Sequence, residues 1–146
     1  MDEKIRYVRL EDRTEKLESV LDLLYQYLSQ FISRETLKED IEYCFKKGRV
    51  VAAYHKEKLI GAVVGIHTPF FDKFHIAHIA VKEGHQGKGI GKRLTEEIIP
   101  EGTGASVHLN IGNPGVERFY EKMGFSPTHK RFKKPAEEDS DVKPSD

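Results

Sequence analysis

A glycine-rich stretch in the middle of the chain has the residue types and the spacing for holding a phosphate. The apolar run at residues 76–81 predicts a strand, and residues 92–99 predict a helix. The turn between them contains Gly84, Gly87, Gly89 and Gly91. Glycine lets a backbone approach a ligand closely, and the first amides of a helix have no partner inside that helix. A strand, a glycine-rich turn and a helix N-terminus together predict an anion site.

Two common phosphate-binding loops do not fit this stretch. A Walker A loop would need glycine at position 86 and serine or threonine at position 93, where the chain has Gln86 and Arg93. The dinucleotide fingerprint Gly-x-Gly-x-x-Gly would need a third glycine at position 92 or 94, where the chain has Lys92 and Leu94. The pattern that is left is Gln-x-x-Gly-x-Gly, which runs from Gln86 to Gly91.

A second pattern lies downstream, on a helix predicted from Pro114 or Gly115 to about Lys122. Its order is Asn113, then Phe119 and Tyr120, then Gly124 and Phe125. Taken with the earlier loop, this order resembles the GNAT superfamily of acyl-CoA N-acetyltransferases. In that family Gln-x-x-Gly-x-Gly forms the acyl-CoA loop, and a late helix has the form Asn-x-x-Ala-x-x-x-Tyr-x-x-x-Gly-Phe. The resemblance covers residues 50–126, and it departs at Val116, where a small alanine is usual.

The resemblance implies a set of contacts with an acetyl-CoA donor. Three strand residues would pair their backbone with the pantetheine arm as an added strand: Ile79, Ala80 and Val81. Amides of the loop would hold the pyrophosphate, namely those of Gln86, Gly87, Lys88, Gly89, Ile90 and Gly91, with Lys92 close by. The side chains of Lys88 and Arg93 are placed to reach phosphates too. No metal is expected.

The late helix supplies the other residues that the resemblance implies. Asn113 would bond the pantetheine region, Phe119 is assigned to the cofactor contacts, and Tyr120 would face the thioester sulfur. When an amine attacks a thioester, the leaving thiolate needs a proton, and a positioned tyrosine is suited to give it. Tyr120 is therefore expected to be the general acid. The oxyanion would take its donor from a backbone amide of the strand at 79–81.

The general base is left open between several groups. His108 lies on the predicted strand before the late helix, twelve residues before Tyr120, where some family members place an acidic base. Imidazole has a suitable pKa for the task. His78 is the next candidate, and His75 and His67 are further rivals. An ordered water could also serve with no single base.

Composition narrows the class of protein. The chain has 146 residues and 24 basic against 24 acidic side chains, so a general nucleic-acid binder, which would show a basic excess, is disfavoured. The sequence has no apolar run of the roughly 18 residues that span a bilayer, and its N-terminus lacks the layout of a signal peptide. Cys44 is the only cysteine, which excludes an internal disulfide and favours a reducing, cytoplasmic location.

Hydrophobic periodicity predicts an α/β fold, α+β in some schemes. The predicted order is β-α-α-β-β-β-α-β-α-β, with a hairpin turn at residues 55–58. The resemblance implies a mixed, mostly antiparallel sheet with helices on both faces. Gly61 and Gly65 predict a bulge or a close approach of another backbone. One acyl-CoA N-acyltransferase domain is expected over residues 1–134, followed by a disordered acidic tail at 135–146.

Some element ends can be predicted from single residues. Ser33 can cap the second helix, and Gly48 stands where that helix would stop. Phe125 is expected to begin a short last strand.

The function expected from these patterns is N-acetyl transfer from acetyl-CoA to a primary amine, by direct attack and without an acyl-enzyme. The alternative is a non-catalytic CoA-binding or sensing module of the same fold, and a protein-interaction domain without CoA is a third class. The acceptor, a small-molecule or peptide amine, would be selected by the first two helices and the loop at 67–75. A homodimer is possible, and neither nucleic acid nor membrane is an expected partner.

Overall fold

The computed structural model describes residues 4–11, 14–68, 73–101, 106–109, 117–126 and 134, with only the backbone at 14, 106–109 and 117. The chain divides into two units, Met1–Pro114 and Gly115–Asp146. In the described part of the first unit the strands are β1 (Ile5–Arg9), β2 (Arg49–His55), β3 (Lys58–Thr68), β4 (Lys73–Val81) and β5 (Ser106–Leu109). Its helices are α1 (Leu17–Leu28), α2 (Arg34–Lys47) and α3 (Ile90–Ile98), with a 3-10 turn at Thr14–Lys16. The second unit contains α4 (Glu117–Lys122).

The five strands form one sheet in chain order, β1-β2-β3-β4-β5. The first three pairings are antiparallel, and β4 pairs with β5 in parallel. The short turn between β2 and β3 can only return the chain antiparallel, whereas the crossover through α3 brings β5 back parallel to β4. In the turn between β2 and β3, Lys56 takes a positive φ of 58°. The predicted mixed, mostly antiparallel sheet is confirmed.

Helices cover both faces of the sheet because the buried strands are apolar on both sides. Along β2, Val50 and Ala52 belong to a core formed with α1 and α2, while Val51 and Ala53 belong to a second core formed with α3. Strand residues alternate between faces, so one apolar run can serve both cores. Fully burying a leucine such as Leu94 of α3 contributes about 1.5–3 kcal/mol.

The ends of α2 lie where the sequence predicts them. The hydroxyl of Ser33 accepts a hydrogen bond from the amide of Thr36 at 3.1 Å, which satisfies one unpaired donor of the first turn. At the other end, the amide of Gly48 donates to the carbonyl oxygen of Cys44 at 2.9 Å. The predicted cap and stop are both confirmed.

Two other predicted ends differ from the structure. Helix α3 begins at Ile90, two residues before the predicted start at 92, so Gly91 lies in its first turn. The reason is that Gly89 takes the cap position with φ 83°, and the helix can begin directly after it. Phe125 and Ser126 lie in neither helix nor strand, and the rest of the predicted last strand falls outside the described residues.

A bulge interrupts β4 beside β3. Val64 is paired with His78 and Gly65 with Ile76, so Ala77 is an extra residue on β4. An extra residue reverses which face the following side chains occupy. Without this extra residue, His78 would lie on the face of the sheet that α3 covers, together with the core residues Phe74 and Ile76.

The predicted bulge or close backbone approach is confirmed for Gly65 on β3, whereas the closest neighbour of Gly61 is a side chain. A Cβ added at Gly65 would lie 2.8 Å from the carbonyl oxygen of His75, and the bulge falls at this residue. A Cβ at Gly61 would lie 3.0 Å from Cδ1 of Leu94. Glycine therefore allows a neighbouring strand and helix α3 to come close to β3.

Replacing Gly48 by alanine is expected to destabilise the fold by about 1–3 kcal/mol. An added Cβ would lie 2.3 Å from the carbonyl oxygen of Gly65 and 2.6 Å from Cγ2 of Ile66, so the α2–β2 junction would have to shift. Thermal and urea unfolding would measure the loss, with Lys47→Ala at the exposed neighbouring position as the matched control. Equal unfolding curves for the two variants would contradict this packing argument.

The single cysteine is a core residue. Cys44 is buried in α2, and burial, aided by the charge of Asp40, raises the pKa of its thiol to about 12. A thiol with that pKa stays protonated at neutral pH and is a poor nucleophile. In the described part of the chain, no helix has both the length and the apolar character to cross a bilayer.

Candidate functional site

The glycine-rich loop joins the end of β4 at Val81 to the start of α3 at Ile90. Three of its glycines hold backbone conformations that L side chains rarely adopt, with φ 92° at Gly84, 80° at Gly87 and 83° at Gly89. Gly89 directly precedes the helix, so it sets the direction in which the first turn points. The loop is therefore built to present backbone rather than side chains.

The first turn of α3 leaves amides available for a ligand. The first helical hydrogen bond runs from the amide of Arg93 to the carbonyl oxygen of Gly89, at 3.1 Å. The amides of Ile90, Gly91 and Lys92 consequently have no acceptor within the helix. The aligned peptide dipoles add partial positive charge at this end, and the side chain of Lys92 is exposed beside it. Helix N-termini with this geometry are ready-made binding sites for anions.

Hydrogen bonds from outside the helix hold the loop in place. The side-chain amide of Gln86 donates to the carbonyl oxygen of Val81 at 2.7 Å, which folds the loop back onto β4. The amide of Glu83 donates to the hydroxyl of Tyr27 on α1, also at 2.7 Å. The sequence predicts an amide contact for Gln86 but neither of these bonds. Tyr27 lies 56 residues from Glu83, and no pattern in the sequence connects them.

Replacing Tyr27 by phenylalanine is expected to weaken CoA binding about 2- to 10-fold. One intramolecular hydrogen bond contributes about 0.5–1.5 kcal/mol, and here the loss would loosen the loop that presents the amides. Isothermal titration with CoA would measure the change. Tyr25→Phe is the matched control, because it also removes one tyrosine hydroxyl from α1. It keeps the ring, whose centre lies 5.7 Å from the guanidinium of Arg34. An affinity as high as that of the wild type would show that the Tyr27 bond does not support the site.

The two basic residues expected to reach phosphates differ in their surroundings. Lys88 is exposed in the loop. Arg93, in contrast, bonds Glu97 one turn along α3 at 2.8 Å, and its guanidinium lies 4.7 Å from the ring centre of Tyr7. The hydrogen bond to Glu97 raises the pKa of Arg93. Its described partners therefore lie on α3 and β1.

Next to this loop, strand β4 has a backbone edge that no described strand covers. Its parallel pairing with β5 joins Lys73–Ile76 to Ser106–Leu109, and Ala77–Val81 continue past the last pair. Among the described strands, none pairs with this side of Ile79, Ala80 and Val81, although β3 pairs with their other side. An extended ligand could add to this edge by backbone hydrogen bonds.

The candidate bases lie on three neighbouring strands, β3, β4 and β5. His78 is half-buried two residues past the last β4–β5 pair, and its Nε2 lies 2.9 Å from Oδ2 of Asp40 on α2. His75 is in register with His108 across the parallel pair, where the structure gives the backbone of His108. His67 is exposed at the end of β3. Asp40 belongs to neither sequence motif, so only the structure reveals its contact with His78.

Tyr120 lies in α4 of the second unit. Its buried ring makes edge contacts with Phe119 and Phe125, at centroid distances of 4.9 and 5.7 Å. Burial raises the pKa of Tyr120, so its hydroxyl keeps its proton at neutral pH and can donate it. Asn113, the other predicted residue of this motif, lies outside the described residues. Among the residues that are described, no group of three or more side chains has the make-up of a metal site.

Comparison with known proteins agrees with the resemblance. Residues 11–135 match the family model described as the acetyltransferase (GNAT) domain. The chain is 31% identical to N-alpha-acetyltransferase 30 of Xenopus laevis, covering 85% of this chain and 47% of that protein, so it spans about half the length of this curated relative.

Solved structures show the same fold. Aminoglycoside N-acetyltransferase AAC(6')-Iy in complex with CoA superposes with a TM-score of 0.76 at 14% identity, covering 93% of this chain and 97% of that one. Ribosomal-protein-alanine N-acetyltransferase from Brucella melitensis biovar Abortus 2308 gives 0.73 at 19% identity, covering 91% and 100%. The predicted fold class is confirmed.

Proposed function

Because the chain belongs to the GNAT family of acetyltransferases, we propose that it transfers an acetyl group from acetyl-CoA to a primary amine. The observation that carries this proposal is the first turn of α3, where Ile90, Gly91 and Lys92 offer amides with no acceptor in the helix. The pyrophosphate of CoA is the anion that would occupy this turn. The amides of Gln86, Gly87, Lys88 and Gly89 would complete the cradle.

The rest of the donor fits along β4. The pantetheine arm would extend the sheet at Ile79–Val81, where the backbone edge is free among the described strands. This pairing would bring the thioester to the point where β4 and β5 part. Asn113 and Phe119 would complete the pantetheine contacts from outside that strand. An amide of β4 would stabilise the oxyanion as the thioester carbonyl is attacked.

The reaction proceeds by direct attack of a neutral amine on the thioester carbonyl carbon. A C–N bond forms, the C–S bond breaks, and Tyr120 gives its proton to the departing thiolate. Like any tyrosine, Tyr120 is protonated at neutral pH, and burial raises its pKa further, so a proton is present on the hydroxyl when the thiolate leaves. The buried, protonated thiol of Cys44 gives no support to an acyl-enzyme route. The candidate side chains for the general base are those of His108, His78, His75 and His67.

The acceptor we propose is the α-amino group of a peptide or protein. The support comes from the 31% identical relative, whose name is that of an N-alpha-acetyltransferase. An α-amine has a pKa of about 7.7–8.0, so a histidine can remove its proton at neutral pH far more easily than that of a lysine side chain near 10.4. Small amines are the alternative acceptors, as in the aminoglycoside acetyltransferases that share the fold.

An acceptor panel assayed for CoA release tests this function. Acetyl-CoA would be mixed with four kinds of acceptor. Three are peptides: one set with a free N-terminus, the same set with an acetylated N-terminus, and a lysine-containing peptide whose N-terminus is blocked. The fourth is sisomicin, which is bound in a solved aminoglycoside acetyltransferase of the same fold. We expect CoA release only with the free N-termini. Release with sisomicin alone would keep the reaction but change the acceptor class. If acetyl-CoA binds and no amine releases CoA, the chain is a CoA-binding or sensing module.

Three further features belong to the same proposal. The family match from residue 11 to residue 135 supports one acyltransferase domain over residues 1–134. The acidic tail at 135–146 lies outside the described residues, and its disorder is a prediction. A cytoplasmic location and a homodimer are predictions as well, which fractionation and sedimentation would check.

A further inference from the structure

We propose that Asp40 is a positioning residue that holds His78 as the base for the acceptor's ammonium group. This inference rests on the proposed acetyl transfer and selects one base from the four histidines. It starts from a contact between two elements: Nε2 of His78 on β4 lies 2.9 Å from Oδ2 of Asp40 on α2.

The bulge in β4 makes this contact possible. Phe74 and Ile76 point into the core beneath α3, and regular alternation would send His78 into the same core. The extra residue Ala77 reverses the alternation, so His78 is paired with Val64, a member of the core on the α1 and α2 face. An imidazole that would have been buried among apolar side chains instead meets a carboxylate. The bulge thus decides that His78 contacts the carboxylate of Asp40.

The solvent exposures of His78 and Asp40 fit the roles of a general base and of the residue that positions it. The side chain of His78 is 17% exposed, while that of Asp40 is 42% exposed. The carboxylate stays in contact with water, whereas the ring is largely shielded and its orientation is fixed by one strong partner. The charge of Asp40 also acts within α2, where it adds to the burial that raises the pKa of Cys44.

The position of His78 along β4 is where a base is needed. It lies two residues beyond Ile76, the last residue of β4 paired with β5, and directly before Ile79–Val81. Those three residues are the proposed edge for the pantetheine arm. A thioester at the end of that arm would therefore lie near the imidazole, where the two strands part.

The contact with Asp40 selects which nitrogen takes the proton. An ionised carboxylate only accepts hydrogen bonds, so the neutral imidazole must carry its hydrogen on Nε2 and leave the lone pair on Nδ1. The first proton of the ammonium passes to Nδ1, and the neutral amine attacks the thioester. The nitrogen then loses its second proton as Tyr120 protonates the thiolate, and this second proton restores the tyrosine. His78 returns its proton to water, so each turnover releases one proton.

Steady-state kinetics with acetyl-CoA and the best amine of the panel test the roles of both residues. We expect His78→Gln to lower kcat about 10²-fold, the usual scale for loss of a general base, and Asp40→Asn to lower it at least 10-fold. The KM for acetyl-CoA should not change. The double variant should be no slower than His78→Gln alone, because Asp40 acts through His78. Asp22→Asn, which removes a carboxylate paired with Arg34 at 2.7 Å, is the matched control.

The proposal is overturned by wild-type kcat in both single variants, or by an Asp40→Asn effect that persists undiminished in the His78→Gln background. A long-range proton–nitrogen NMR spectrum provides a test that needs no acceptor. At pH 8.5 the wild type should show His78 with hydrogen on Nε2, and Asp40→Ala should show a mixture of tautomers. Hydrogen on Nδ1 in the wild type would reject the dyad, whereas failure of every amine in the panel would reject the acetyl transfer alone.

Discussion

Replacing Tyr120 by phenylalanine is expected to lower kcat by about 10²-fold or more while CoA binding stays the same. Only the hydroxyl group is removed, and the buried ring keeps its edge contacts with Phe119 and Phe125. The hydroxyl is protonated at neutral pH, as in any tyrosine, and burial raises its pKa further. The effect should therefore fall on the chemical step and leave the donor affinity untouched.

Two measurements separate these contributions. Single-turnover CoA release would give the rate of the chemical step, and isothermal titration would give the affinity for CoA. Tyr43→Phe, at an exposed position on α2, is the control for removing a tyrosine hydroxyl. If Tyr120→Phe turned over as fast as Tyr43→Phe, the thiolate would have another source of protons.

Replacing Gly89 by valine is expected to reduce CoA affinity about 10- to 100-fold. Gly89 holds φ 83° at the position before α3. A β-branched residue at positive φ is strained by about 1–3 kcal/mol, so the loop would leave the conformation that presents the amides. Since 1.4 kcal/mol corresponds to a tenfold change in affinity, the strain sets the expected range.

Gly89→Asn is the matched control for this strain. Asparagine visits the left-handed region far more readily than valine, and an added Cβ meets no atom within 4 Å. We expect this variant to keep most of the CoA affinity. Equal, wild-type affinity in both variants would mean that the conformation of Gly89 does not matter for the donor.

Those parts of the fold that depend on local residue patterns could be predicted from the sequence. Ser33 and Gly48 bound α2 as expected, because a cap and a stop act on amides and carbonyls only a few residues away. The antiparallel hairpin could be predicted from the polar turn at residues 55–58, and the helices on both faces of the sheet are implied by the resemblance. The loop before α3 could be predicted as an anion site because its glycines and the helix N-terminus are contiguous in the chain.

Contacts between distant residues could not be predicted in this way. Asp40 and His78 are 38 residues apart, and their contact depends on a bulge that places one extra residue in β4. Tyr27 supports the loop from α1 through a bond that no spacing rule describes. Arg93 carries the right charge for a phosphate, but its position on α3 brings it to Glu97 and Tyr7. In each case the tertiary packing decides which partner a side chain meets.

The most direct test of the central claim is a titration of the nitrogen-labelled protein with CoA, followed in proton–nitrogen correlation spectra. If the start of α3 holds the pyrophosphate, the largest saturable shifts will occur at the amides of residues 86–92, with a second group at residues 79–81. The same shifts should appear with acetyl-CoA. Spectra that do not change, or shifts that cluster on β1 or α2 and spare residues 86–92, would contradict the assignment of this loop as the donor site.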